Sequence, residues 1–148
     1  MTTGEFEKLG TSEEKMHGPR CLMVTGFTRE QRNYFLNLQE NAGIDPAKVV
    51  FVGPESIKIK LEELVEKPNE WDLETDLEYP PVVIMSGLLE SELHAFMKNY
   101  RSSNLPAPLF AVLTPISEKW SFEYLVKHLV REYMEMHKQR NAPTDKEN

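Results

Sequence analysis

One cysteine, Cys21, in 148 residues leaves no thiol to pair with, so the chain has neither an intramolecular disulfide nor a multi-cysteine metal site. Its place at the head of the apolar run Leu22-Met23-Val24 marks a small buried thiol rather than a reactive one. Basic charge is also scarce: 17 Lys and Arg stand against 24 Asp and Glu, a net of −7. A nucleic-acid binder needs a basic footprint to neutralise phosphates, and adhesion to anionic lipid needs the same sign, so neither partner is expected. No apolar run approaches the ~20 residues that cross a bilayer. The first twenty positions lack both the apolar core of a secretory signal and the Arg-rich, acid-poor character of a transit peptide. A soluble protein without membrane insertion is expected. Its location would be cytoplasmic, or an organelle interior if a targeting peptide precedes this numbering.

Catalytic signatures are missing as well. The glycines that follow apolar runs stand singly, and no Gly-x-Gly-x-x-Gly or Gly-x4-Gly-Lys-Ser/Thr cradle for phosphates occurs. Gly-x-Ser-x-Gly is absent, which removes the nucleophile elbow of a hydrolase. The four histidines, His17, His94, His128 and His137, show no His-x3-His or His-Glu-x-x-His spacing. His94 and His128 fall at the edges of apolar helical stripes. The acids from Glu62 to Glu78 read as a solvated face. The expectation is no metal, no cofactor and no catalytic residue; enzymatic activity is undecided, with the balance against it.

What the chain does have is an echo. Leu22-Met23-Val24-Thr25-Gly26 is answered by Val83-Ile84-Met85-Ser86-Gly87, and Val49-Val50-Phe51-Val52-Gly53-Pro54 by Phe110-Ala111-Val112-Leu113-Thr114-Pro115. Gly26 to Gly87 and Pro54 to Pro115 are each 61 positions apart. Each apolar run has the length and bounding turns of a strand. After Gly26, Thr28-Arg29-Glu30-Gln31 has the form of a capping box, and Tyr34, Phe35, Leu38 and Ala42 share one helical face up to Gly43, a left-handed cap. Ser56 stands as the cap of a three-turn helix carrying Ile57, Leu61, Leu64 and Val65, closed by Pro68. In the second half, Leu93, Phe96, Met97 and Tyr100 make one helix. Leu89 sits where a hydroxyl cap belongs, a role that falls to Glu90 or Ser91. Ser121 caps a last helix with the stripe Phe122, Leu125, Val126, Leu129, Tyr133 and Met136.

The fold expected is α/β: two tandem β-α-β-α units packed into one compact domain with pseudo-twofold character and mainly parallel strands. One four-stranded sheet and two small abutting sheets both satisfy it. Residues 1–19 read as a flexible arm, 20–67 as the first unit, 68–81 as an acidic linker pinned by Trp71, 82–138 as the second unit and 139–148 as a disordered tail. A unit of roughly 45 residues buries too little apolar surface alone, so the two share a core.

The second unit, about 83–130, resembles the domain-of-unknown-function 3783 family, a small bacterial-type family of uncharacterised role. The likeness rests on Val83-Ile84-Met85-Ser86-Gly87, on Ala107-Pro108-Leu109-Phe110-Ala111-Val112-Leu113-Thr114-Pro115, on Trp120-Ser121 opening the last helix, and on Leu125 and Leu129. Leu89 departs from the hydroxyl or acidic helix start of that family. The first half looks like a diverged copy, with Gly53 in place of Thr114. The resemblance implies a fold and supplies no catalytic residue.

Two kinds of site follow. Ligands of open parallel sheets gather at the carboxyl ends of strands, which places Thr25, Gly26, Ser86, Gly87, Thr114 and Ser117 on a candidate rim for an anion or small ligand. Trp120, Tyr133 and Met136 are candidate anchors for another protein, because aromatics and methionine are favoured in interface cores. A non-enzymatic interaction, regulatory or assembly-accessory role is the leading expectation, with a homodimer through the last helix also open. A small-ligand sensor, or an enzyme using the rim, is the alternative.

Overall fold

The computed structural model describes residues 14–43, 46–72 and 78–147, side chains being described no further than Lys138. Residues 1–13 of the expected arm and 73–77 of the expected linker lie outside it. Four strands, β1 (Cys21–Thr25), β2 (Lys48–Phe51), β3 (Val82–Ser86) and β4 (Leu109–Val112), form one sheet in the order β2-β1-β3-β4. β1 and β2 are parallel, as are β3 and β4, while the central pair β1 and β3 is antiparallel. The question of one sheet or two is thus resolved in favour of one, mostly parallel, with its direction reversed in the middle.

Helix α1 (Arg29–Ala42) joins β1 to β2 and α3 (Glu90–Arg101) joins β3 to β4. A short α2 (Leu61–Leu64) follows β2, and α4 (Phe122–Glu147) follows β4 after a single 3-10 turn, Ser117–Lys119. Side-chain alternation along the strands divides the core into two layers. Leu22, Val24, Val49, Phe51, Val83 and Met85 face Phe35 and Leu38 of α1 and Phe96 and Tyr100 of α3. Cys21, Met23, Val50, Val82 and Ile84 face Leu61 and Leu64 of α2 and Phe122, Leu125 and Val126 of α4. Both faces of the sheet are covered, which is why β1 and β3 are buried at every position.

The registers repeat. Cys21 pairs with Lys48 in β1–β2 and Val82 with Leu109 in β3–β4, the same spacing along the chain in both. Met23 lies opposite Ile84 at the middle of the antiparallel pair. On the α2/α4 side, Lys60 bridges Ser121, with Leu61 N–H donating to Trp120 O (2.9 Å) and Phe122 N–H to Ile59 O (3.1 Å). On the α1/α3 side, Phe35 meets Phe96 edge-on at 5.7 Å.

Helix starts follow the local chemistry with two corrections. Thr28 and Gln31 form the expected box, Thr28 N–H donating to Gln31 Oε1 (2.9 Å) and Gln31 N–H to Thr28 Oγ1 (3.2 Å). At α3 neither Glu90 nor Ser91 substitutes for the missing hydroxyl; Glu92 Oε1 accepts the Leu89 N–H at 3.0 Å, half of the same box. Ser56 does not cap a three-turn helix. Its Oγ accepts the Gly53 N–H (2.9 Å) and closes a turn, and Lys60 is extended to reach Ser121, so only Leu61–Leu64 is helical. Ser121 caps α4 as expected, accepting Tyr124 N–H at 3.1 Å. That helix runs on to Glu147, past the boundary at 138 and through the stretch expected to be a disordered tail; Lys138, Gln139 and Arg140 are helix-forming residue types. Gly43 ends α1 with φ 74°, and Trp71 packs its linker against the α2/α4 layer.

Phe35 is fully buried among Phe27, Phe96 and Tyr100, with ring centroids at 5.5, 5.7 and 6.4 Å. Phe35→Ala opens a cavity between α1 and α3 and is expected to cost about 3–5 kcal/mol, read as a lower urea midpoint at unchanged slope.

Candidate functional site

The antiparallel central pair decides the fate of the strand-end rim. Thr25 pairs with Val82 and Ser86 with Cys21, so the carboxyl ends of β1 and β3 point in opposite directions, about 14 Å apart along the pair. Thr25 and Gly26 therefore gather with Gly53 and Ser56 at one end of the sheet. Ser86, Gly87, Thr114 and Ser117 gather at the other. The six rim residues form two separate clusters.

At the first end the hydroxyls are engaged in the fold. Thr25 Oγ1 donates to Val52 O at 3.1 Å. Gly26 has φ 91°, and a Cβ there would lie 2.5 Å from Pro80 O and from Pro81 Cα, so the turn is pressed against the entry to β3. Arg32 is buried beside it, its Nε donating to Phe27 O at 3.2 Å. The cavity among Thr25, Gly26, Phe27 and Arg32 measures ≈ 10 Å³, room for about one water.

At the second end, the segment 14–20 lies over the β3–α3 turn. Met16 N–H donates to Leu88 O (2.8 Å), Gly87 N–H to His17 O (3.0 Å) and Ser86 Oγ to Pro19 O (2.5 Å). Gly87, φ 70°, has no space for a side chain: a Cβ would meet Gly18 O at 2.4 Å. Arg20 fastens the segment by a bidentate pair to Glu92 at 2.6 and 2.8 Å, and His17 Nε2 meets Glu118 Oε1 at 2.7 Å. Thr114 and Ser117 satisfy one another: Thr114 N–H donates to Ser117 Oγ and Ser117 N–H to Thr114 Oγ1, both at 3.0 Å. Among the described residues, no group of three or more His, Cys, Asp or Glu is arranged to hold a metal ion.

The interaction candidates divide as well. Trp120 is partly buried in the α2/α4 layer, its ring 4.9 Å from Tyr124 and 5.3 Å from His128. Tyr133 and Met136 stand on the part of α4 that emerges from the core: Leu129 and Val130 still pack against it, whereas every residue from Arg131 to Lys138 is exposed. Tyr133 is 51% exposed, Met136 62%, and their neighbour Met134 63%. At the root of this segment a groove of ≈ 620 Å³ runs between α4 and Tyr79-Pro80. Val126, Val130 and Met134 line it, with Lys127, Arg131, Lys138 and Glu135 at its rim. Sequence reading included Met134 in the surplus end Tyr133–Met136 but missed this groove, although Val126, Val130 and Met134 recur every four residues and so mark a second apolar face.

Cys21 is fully buried, and desolvation pushes its thiol up to about 12, Lys48 opposing and Glu66 reinforcing the shift. The folded state keeps the proton that the unfolded chain releases near the ordinary value of 9.0, so the contribution is complete below pH 9 and is lost as pH rises towards 12. Burial raises Tyr100 in the same direction. Stability measured by denaturant titration should therefore fall through that alkaline window, less steeply in Cys21→Ala. In the native wild type at neutral pH, a thiol reagent should label Cys21 only at the rate of unfolding.

No curated protein and no solved structure matches the chain. One stretch does match a known family: residues 81–136, beginning one position ahead of β3 and ending within α4, match the family described as a domain of unknown function, DUF3783.

Proposed function

We propose that this chain is a non-enzymatic interaction module, an accessory or regulatory domain of a larger assembly, with the emergent part of α4 as its contact surface. One observation carries the proposal: Tyr133, Met134 and Met136 are exposed on a helix whose apolar stripe continues beyond the core it covers. Isolated apolar side chains are ordinary on a surface, but three within four residues beside an apolar groove form a patch. Tyrosine brings a large rigid contact area, and methionine adapts its shape to a partner. Trp120 serves as the root of the helix rather than as an anchor, since its ring is engaged by Tyr124 and His128. The alternative, a small-ligand or anion sensor at the strand ends, has less support. Its hydroxyls are hydrogen-bonded within the fold, and the cavity at Thr25 is no larger than a water molecule.

We also infer that the two halves are copies of one unit related by an approximate twofold axis normal to the sheet. Met23 with Ile84, Lys60 with Ser121, and Phe35 with Phe96 are each pairs of residues 61 apart that meet one another. The capping roles of Gln31 and Glu92, and the turn roles of Ser56 and Ser117, keep that same spacing. These coincidences of spacing and contact support duplication more strongly than the few identities do.

Capture from an extract of the native cell, with the tagged chain as bait, tests the contact surface. Tyr133→Glu with Met136→Glu is expected to lose at least ~10-fold of the captured partner while retaining the wild-type melting temperature, because neither side chain belongs to the core. Equal recovery by wild type and variant would remove α4 as the surface.

A further inference from the structure

The two edges of the sheet are finished differently. The outer side of β2 is covered by the chain itself. Phe51 N–H donates to Trp71 O (3.0 Å), Glu70 N–H to Val49 O (2.7 Å) and Val49 N–H to Asn69 Oδ1 (2.9 Å), and Val50 bridges Trp71. Among the described residues β4 has no such cover. Its ladder to β3 uses Leu109 N–H to Pro81 O and Leu113 N–H to Met85 O, both 2.9 Å. Backbone alternation then turns the N–H and C=O of Phe110 and Val112 away from β3. All four residues of β4 are partly exposed, and none carries a charge to guard the edge.

We propose that β4 joins two copies of this chain, antiparallel and edge to edge, converting two four-stranded sheets into one of eight strands. A twofold axis at Ala111 sets Phe110 opposite Val112 of the second copy, and the reverse. Each such pair exchanges both N–H···O bonds, giving four across the axis. Ala111 faces its own twin where the backbones approach closest, the position that most needs a small side chain. On the other side of the pleat, Val112 of the second copy arrives beside Phe110, next to the ≈ 320 Å³ notch formed with Tyr100, Arg101, Leu105, Ala107 and Pro108.

Charge selects the occupant. The strip Leu109–Leu113 carries no charge, so two copies meet there without setting like charges directly opposite one another, and the net −7 of each chain makes the association weaker at low salt than at high. A charged partner segment finds no counter-charge on this strip. Pro108 and Pro115 confine pairing to it, since neither can extend a ladder. The sealed β2 edge then closes the assembly at two copies instead of letting it propagate as a fibre.

Sedimentation over a concentration series tests this, with Val112→Pro as the edge-blocking variant. The Val112 N–H takes no part in the ladder to β3, so proline removes an outward donor together with some packing of the partly buried Val112 side chain; far-UV circular dichroism and the melting temperature verify that the fold persists. Wild type should show a reversible monomer–dimer equilibrium, weakened at least ~10-fold by Val112→Pro. Ala111→Cys should form a covalent dimer on mild oxidation, while wild type, whose lone thiol is buried, should not. A wild type that stays monomeric at ~1 mM, a dimer indifferent to Val112→Pro, or an Ala111→Cys chain that fails to crosslink would each overturn the proposal. None of these readouts depends on Tyr133 or Met136, so the α4 surface stands or falls separately.

Discussion

The antiparallel pairing of β1 with β3 is the constraint on which everything else in this fold rests. Five residue pairs, from Cys21 with Ser86 to Thr25 with Val82, weld two parallel strand pairs into a single sheet. Each half alone is a two-stranded ribbon with two helices, too small to exclude water from its own apolar faces. Joined at the centre, the halves place α1 beside α3 on one face and α2 beside α4 on the other. The apolar runs of β1 and β3 are then dry on both sides. Phe35 against Phe96, and Lys60 bridging Ser121, are consequences of that weld, because the helices meet only where the strands bring them together.

The same pairing disperses what a parallel sheet would concentrate. Four strands running one way would collect four turns and the helix starts at one rim, which is how such folds come to bind ligands. Reversing the middle sends Thr25 and Gly26 to one end and Ser86, Gly87, Thr114 and Ser117 to the other. Among the described residues, the hydroxyls at each end are engaged within the fold. Thr114 and Ser117 close a turn, Thr25 ties β1 to the end of β2, and the backbone at the Ser86 end is occupied by the segment held by Arg20 and Glu92. Small and hydroxylic residues at strand ends were legible as sites only on the assumption of a common direction.

Strand positions, the order of the elements, the Thr28–Gln31 box, the Gly43 cap and the matched spacing were all readable from periodicity, since each depends on side chains within a few residues of one another. What stayed hidden depends on residues far apart. Nothing near Ser56 announces that Lys60 must stay extended for Ser121. Likewise, nothing near Leu22 says whether β3 will lie beside β1 parallel or antiparallel, because buried strands read as apolar runs in either direction. The Glu92 carboxylate that accepts the Leu89 N–H lies only three residues on and was legible as the acid of a capping box; what stayed hidden is that it also receives Arg20 from 72 residues away. On α4 the stripe that includes Tyr133 and Met136 was visible, but the face of Val126, Val130 and Met134 became meaningful only with Tyr79 and Pro80 opposite.

The halves differ most after Val65 and Val126. In the first half Pro68 forbids continuation of the helix, and the chain turns back so that Asn69, Glu70 and Trp71 can close the β2 edge. In the second half no proline intervenes before position 143, and the helix runs on. One local difference therefore has two effects at once. The residues that correspond to Asn69–Trp71 are carried outward on α4, so that, among the described residues, the β4 edge has no cover and the Tyr133–Met136 stripe lies beyond the core, both on the same half of the molecule. If the halves are the copies proposed above, this departure from their symmetry supplies both of the proposed contact surfaces.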